Sequence, residues 1–253
     1  MSSTIQRGLC VLEALARSDA PRGISELAKE LDLDKSAVQR VFQTLFDAGY
    51  LERAGARYRP SLRLWEIGST ILAKHEVRRL IHPILRSAAH ASRLTAFFAL
   101  VEYPEMLYVD KVEGELGRPA SSEPGERVPM RLTASGKAVL AHYDGKALRA
   151  LDMGREKPLP AAELRALERE FALIRQRSYA ASEGGTVPQV NSIAAAVWGP
   201  GPLPVGSIAL TSDAASLPVT DFERVGRIAM AMAEQATAAM GGRFPATRAA
   251  HAP

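Results

Sequence analysis

Apolar positions recur at helical spacing through the first quarter of the chain. Ile5, Leu9, Leu12 and Leu15 share one face of a helix predicted over 4–17, with Cys10 among them as core, and Asp19-Ala20-Pro21-Arg22-Gly23 breaks it. Ile24, Leu27, Ala28 and Leu31 predict a short second helix with Ser25 as its candidate cap. Asp34 can accept a backbone hydrogen bond and open a third helix that Gly49 stops. In that helix Val38, Val41, Phe42 and Leu45 face a core, while Ser36, Gln39, Arg40 and Gln43 line the opposite side. The junction Asp32-Leu33-Asp34 is just long enough for one helix to turn into the next, which makes a helix-turn-helix unit. Residues 50–53 and 57–60 read as two strands around Ala54-Gly55-Ala56, a hairpin wing. Leu62, Leu64, Trp65, Ile67, Gly68, Ile71 and Leu72 fit a helix ending near His75. Such a helix either links and dimerises or packs on its own domain, with Trp65 as core or interface.

From Val77 the pattern changes. Leu80, Ile81, Ile84, Leu85 and Ala88 form another helical stripe around Pro83. Residues 94–101 and 106–112 read as a strand pair, and 119–129 as a polar Pro/Gly loop. Short helices are expected at 134–143 and 144–153, then a clear one at 160–177. Strands follow at 179–182, 192–198 and 205–211, with a last helix at about 220–240 and a frayed tail from Gly241. Segregated runs of strands and helices argue an α+β fold with an antiparallel sheet. The expected division is a winged helix-turn-helix domain over 1–61, a linker helix over 62–76, a second domain over 77–240 and a tail over 241–253.

Charge sharpens the reading of the first domain. Residues 35–63 carry six Lys/Arg against two Asp/Glu, although the whole chain of 253 residues has a net charge of only +4. Lys35, Ser36, Gln39, Arg40 and Gln43 sit where a recognition helix presents its base contacts, and Arg53, Arg57 and Arg59 could reach phosphates or the minor groove. Double-stranded DNA is the expected partner. An apolar content of 47% is ordinary for a globular protein with a real core, and the single cysteine rules out an intramolecular disulfide framework. With no apolar run of membrane-spanning length and no basic-then-apolar leader at the N-terminus, a cytoplasmic protein is expected.

Over nearly its whole length the chain resembles the IclR-type bacterial transcription regulators. The matching stretches are TIQRGLCVLEALA, ISELAKELDLDKSAVQRVFQTLFDAGYLER, RYRPSLRLWEIGS, GERVPMRLTASGKAVLA and RSYAASEGGTVPQVNSIAAAVW, in that order. The resemblance implies a DNA-binding winged module and a GAF-like α/β effector-binding domain with an antiparallel sheet. It also implies a homodimer or homotetramer that reads a pseudo-palindromic operator and takes a small organic acid, plausibly aromatic, as effector. The implied pocket involves Met130, Arg131, Thr133, Ala134, Ser135 and Gly136 at a helix start, with Glu183, Ser192, Ala209 and Thr211 from the loop and strands. By itself TASGK reads equally well as an ordinary helix cap or as an anion site. Arg131 reads as a carboxylate clamp or as a solvated surface residue. Ser192, Ala209 and Arg131 depart from residues frequent in the family (Cys, a hydroxyl residue and His). Phe97, Phe98, Tyr108 and Trp198 lie on strands, as core or as flanks for an aromatic ring.

Enzyme chemistry finds little support. There is no G-x-S-x-G elbow and no Ser-x-x-Lys pair. Arg131 stands where a phosphate loop ending in Ser135-Gly136-Lys137 would need its first glycine. The five histidines show no metal-ligand spacing, so neither a metal nor a cofactor is expected. The remaining alternative to a sensor is a second domain that serves only for oligomerisation.

Overall fold

The computed structural model describes residues 4–116, 122–144, 160–185 and 187–245. The chain divides into two compact units, residues 1–75 and 76–253.

The first unit contains α1 (Thr4–Ala16), α2 (Ile24–Glu30), α3 (Lys35–Asp47), the hairpin β1 (Leu51–Ala54) and β2 (Arg57–Pro60), and α4 (Leu62–Lys74). Its core joins Val11 and Leu15 of α1, Leu27 and Ala28 of α2, Val38, Val41 and Phe42 of α3, and Leu51 and Tyr58 of the hairpin. Phe42 meets Tyr58 edge-on, with ring centroids 5.0 Å apart. Asp32 adopts φ +50° and so makes the tight turn between α2 and α3. Two expected caps are corrected. Asp34 occupies the N-cap position of α3, but its side chain makes no cap bond. The start of α2 is held by Glu26, whose carboxylate accepts the Gly23 N–H at 3.2 Å, and not by Ser25.

In α1 the expected buried stripe is corrected too. Ile5 is 75% exposed, Leu9 is exposed and Cys10 is exposed, whereas Leu15 is buried as expected, Leu12 packs against the core, and Val11 joins them there. Helix α4 has no buried residue at all, and Leu62, Trp65, Ile67 and Ile71 all stand exposed. Its start is well made: Ser61 accepts the Arg63 N–H and donates to the Gly49 carbonyl at 2.6 Å.

The second unit is built on a six-stranded antiparallel sheet in the order β5-β4-β3-β8-β7-β6. The strands are β3 (Thr95–Glu102), β4 (Glu105–Val112), β5 (Arg127–Pro129), β6 (Ala180–Glu183), β7 (Val190–Trp198) and β8 (Pro204–Asp213). The helices are α5 (Glu76–Ser92), α6 (Ala134–Leu140), α7 (Ala161–Arg177) and α8 (Phe222–Ala239). Helices α5 and α8 pack on each other and on the sheet. On the other face Phe97, Ala99, Tyr108, Ala194, Ala196 and Ala209 share a core with Ala134, Ala138, Val139 and Leu140 of α6 and with Leu167, Phe171 and Ile174 of α7. The period-two alternation of β3, β7 and β8 divides their side chains between these two layers.

Strand β5 falls inside the stretch expected to be loop, where Met106 of β4 pairs with Val128. The helix expected over 144–153 lies outside the described residues, apart from Asp144. The tail expected to fray from Gly241 begins docked. Gly242 N–H donates to Thr237 O at 2.8 Å, and Phe244 packs edge-on against Trp198 with centroids 5.1 Å apart.

Candidate DNA-reading face and effector cavity

On α3 the side chains of Lys35, Ser36, Gln39, Arg40 and Gln43 are all exposed, opposite the buried Val38, Val41 and Phe42. Gln43 donates to Asp47 at 2.7 Å, an exposed bond that base edges can replace. The hairpin turns at Gly55-Ala56, and Gly55 has φ +66°, as the first central residue of a II′ turn requires.

The three wing arginines are exposed but already engaged. The Arg53 guanidinium lies over the rings of Phe46 and Tyr58, 5.2 and 5.6 Å from their centroids. Arg57 pairs with Glu26 at 2.7 Å and donates to the Pro21 carbonyl, and Arg59 pairs with Glu52 on the neighbouring strand. Glu26 also receives Arg22, so α2 and the wing share one surface ion-pair cluster. The Gly23 N–H and these cations hold the Glu26 carboxyl below its ordinary range.

In the second unit, a cavity of about 50 Å³ lies between α6 and the sheet. It is lined by Phe97 and Tyr108, by Leu132, Thr133, Ala134 and Ser135 around the start of α6, and by Ser192, Ala209 and Thr211 from β7 and β8. Ser122, Ser182, Gly185, Val187 and Val190 complete the lining. Strand register puts Thr95, Thr211, Ser192 and Ser182 opposite one another on β3, β8, β7 and β6, a row of four hydroxyl residues across the sheet. Thr95 Oγ1 and Ser135 Oγ are buried without a hydrogen-bond partner among the described residues. Burial pushes the Tyr108 phenol above its ordinary pKa, opposed by the Ser135 hydroxyl beside it. The rings of Tyr108 and Phe97 sit 4.8 Å apart.

Six of the ten sequence-predicted effector residues therefore line this cavity: Thr133, Ala134, Ser135, Ser192, Ala209 and Thr211. Four do not. Met130 is fully buried in the core, and Arg131 turns away to pair with Glu163 of α7 at 2.8 Å. Gly136 serves packing, since a Cβ there would collide with the Met130 backbone, and its N–H is taken by Thr133 Oγ1 at 3.1 Å. Glu183 ends β6 exposed, one residue beyond the lining Ser182. Among the candidate aromatic flanks, Phe97 and Tyr108 line the cavity. Phe98 does not, and Trp198 stacks edge-on with His142 and Phe244.

Residues 69–238 match the family described as bacterial transcriptional regulator IclR, C-terminal, and residues 4–55 match the IclR helix-turn-helix domain. The chain belongs to the IclR family. Its IclR relatives include the Escherichia coli regulator XynR, 26% identical over 77% of this chain and 80% of that protein. They also include the E. coli transcriptional repressor IclR, 24% identical over 94% and 90%. Among solved structures, Thermotoga maritima IclR superposes with a TM-score of 0.72 at 25% identity, covering 94% of this chain and 98% of that one. An IclR homologue from Microbacterium hydrocarbonoxydans, solved in complex with 4-hydroxybenzoate, gives a TM-score of 0.76 at 21% identity, covering 94% and 99%. These IclR relatives are transcriptional regulators and not enzymes, and this chain is a regulator with a DNA-binding helix-turn-helix and a C-terminal effector domain. No helix among the described residues is long and apolar enough to cross a membrane.

Proposed function

We propose that this regulator governs a catabolic operon by reading a pseudo-palindromic operator as a homodimer or homotetramer, under control of a small organic acid bound in the cavity beneath α6. Aromatic acids are the first class to test. The observation that carries the DNA half is the polar face of α3, held outward by the buried Ala37, Val38, Val41 and Phe42. Lys35 and Ser36 lie at its start, Gln39, Arg40 and Gln43 supply donors that match base edges, and Arg53, Arg57 and Arg59 contact the backbone. Helix α4 supports self-association, because a helix with four large apolar side chains exposed needs a partner surface.

The effector half rests on the cavity. Phe97 and Tyr108 offer ring faces, Ser135 offers a hydroxyl proton, and Ser192 and Thr211 offer hydroxyl oxygens. With Gly136 N–H and Lys137 N–H both bonded to Thr133, the backbone donors left to meet a carboxylate at this helix start are those of Ala134 and Ser135. Arg131 is already paired with Glu163, so among the described residues the Ser135 hydroxyl and these amides are the donors placed to hold the acid. The 4-hydroxybenzoate bound by the Microbacterium homologue supports an aromatic acid as the first candidate.

The test is quantitative footprinting on the DNA flanking the regulator's own gene. Gln39→Ala and Arg40→Ala each weaken the operator by ~1–3 kcal/mol while leaving random DNA nearly unchanged. Equal loss on operator and random DNA removes the recognition-helix assignment. A single unrepeated half-site bound by a monomer removes the dimer reading.

A further inference from the structure

The sheet side of the cavity has a direction built into its hydrogen bonds. Thr211 Oγ1 lies 3.0 Å from the Asn191 carbonyl oxygen, which can only accept, so the threonine's single proton points there. Ser192 Oγ lies 2.8 Å from Thr211 Oγ1. With the threonine proton committed, that contact is a hydrogen bond only if Ser192 donates. Ser192 thus ends a chain running Ser192 to Thr211 to Asn191, its own proton used and its lone pairs open beside the cavity it lines. Strand pairing sets Ser192 directly across from Thr211, which holds this order in place.

Such a group takes an O–H or N–H and rejects a carboxylate or keto oxygen, since lone pair would face lone pair. On the helix side the situation is reversed. Ser135 Oγ is buried and lines the same cavity; its polar neighbour there is the Tyr108 phenol, with which it makes no hydrogen bond of good geometry, so a carboxylate, the stronger acceptor, can take its proton. Among the described lining residues there is no Lys, Arg or His, and the polar groups they present are hydroxyls. The two sides together call for a ligand that carries both an acceptor and a donor.

We propose that Ser192, oriented by Thr211, is the specificity-determining acceptor of the cavity, and that the effector is a hydroxylated organic acid. Its carboxylate meets Ser135 on the helix side and its hydroxyl donates to Ser192 on the sheet side. This rests on the reading of the cavity as the effector site and narrows the acid to those bearing a hydroxyl. A plain acid of the same shape would leave Ser192 buried against carbon, and a keto acid would meet it with the wrong polarity.

The experiment titrates the full-length protein by calorimetry with matched pairs: 4-hydroxybenzoate and 3-hydroxybenzoate against benzoate, and lactate against propionate. The hydroxylated member of a pair binds about tenfold tighter or more, the ratio that one well-made hydrogen bond supplies. Ser192→Ala brings that ratio to within about twofold while leaving the unhydroxylated acid's affinity unchanged. Thr211→Val removes the acceptor of the Ser192 proton, turns Ser192 toward the cavity as a donor, and lowers the ratio or inverts it. Equal binding of both members by the wild type, or a ratio untouched by Ser192→Ala, overturns the inference while the acid-effector reading stands. If none of these acids binds, both fall.

Discussion

Replacing Gly136 by alanine adds one methyl group at the place where α6 crosses closest to the strand-end backbone. A Cβ built there falls well inside van der Waals contact with the Met130 Cα, carbonyl carbon and carbonyl oxygen. These are backbone atoms of a residue fully buried in the core, so no side-chain rotation relieves the overlap. Overpacking costs ~1–3 kcal/mol and occasionally more, and an overlap this deep with backbone falls at the upper end, ~2–3 kcal/mol, against a gain of ~0.5–1 kcal/mol from stiffening a helical glycine. The net loss is ~1–2 kcal/mol or more, which lowers the melting temperature of a unit this size by ~2–8 °C. The control is Gly8→Ala in α1, where a Cβ meets nothing within 4 Å and the helical gain stands alone. Thermal unfolding followed by circular dichroism, with the transition of the C-terminal unit assigned from its isolated melt, measures both. A Gly136→Ala protein as stable as wild type, or a Gly8→Ala protein destabilised to the same degree, refutes the close-approach argument. It would also reopen the reading of Gly136 as a ligand-facing donor.

Three further outcomes follow from other parts of the molecule. Trp65→Glu, at a side chain 71% exposed on α4, shifts the sedimentation velocity profile toward monomer and weakens the operator accordingly, whereas an unchanged assembly removes α4 from the interface. Arg57→Ala weakens operator and random DNA alike and flattens the salt dependence by ~1 in log–log slope, since the exposed Glu26 pair it gives up is worth little; an unchanged slope removes the phosphate contact. His142 is held down to about 4 by burial and then by Arg175, so the unfolded chain binds the extra proton between its ordinary value of 6.5 and about 4. Stability of the C-terminal unit therefore rises by ~2–3 kcal/mol as pH goes up through that window, and His142→Gln flattens the rise in pH-dependent denaturant titrations.

How much of this was legible in the sequence depends on whether the information was local. Helix α3 was, because the buried Val38, Val41 and Phe42 and the exposed Gln39, Arg40 and Gln43 follow one helical period. The antiparallel strands were too, up to a residue or two at their ends. Helix α1 was legible only in part because it carries apolar residues on two sides: of the stripe that periodicity chose, Leu12 and Leu15 join the core while Ile5 and Leu9 stay exposed, and packing adds Val11. Strand β5 was hidden in a Pro/Gly-rich stretch, since three residues make a strand only by virtue of Met106 opposite. The choice between the two readings of Arg131 was open for the same reason, since its partner Glu163 lies 32 residues away, on α7. Ser182 joins the cavity only through the register that sets it beside Ser192, and no spacing along the chain encodes that. The tail looked free because nothing in GGRFP announces that Phe244 will meet the edge of Trp198.

On the proposed reading, an acid in the cavity beneath α6 changes how α3 holds its operator. It is tested most directly by fluorescence anisotropy of full-length protein on operator DNA, titrated with an acid shown to bind, in wild type and in Ser135→Leu. Ser135 is 1% exposed and lines the cavity, so leucine fills the space a ligand would take. The acid is expected to shift operator affinity in wild type by a factor set by its differential affinity for the two states. Folded Ser135→Leu is expected to bind operator as wild type does without acid, and no longer to respond to the acid. A folded Ser135→Leu protein that keeps the full acid response contradicts it.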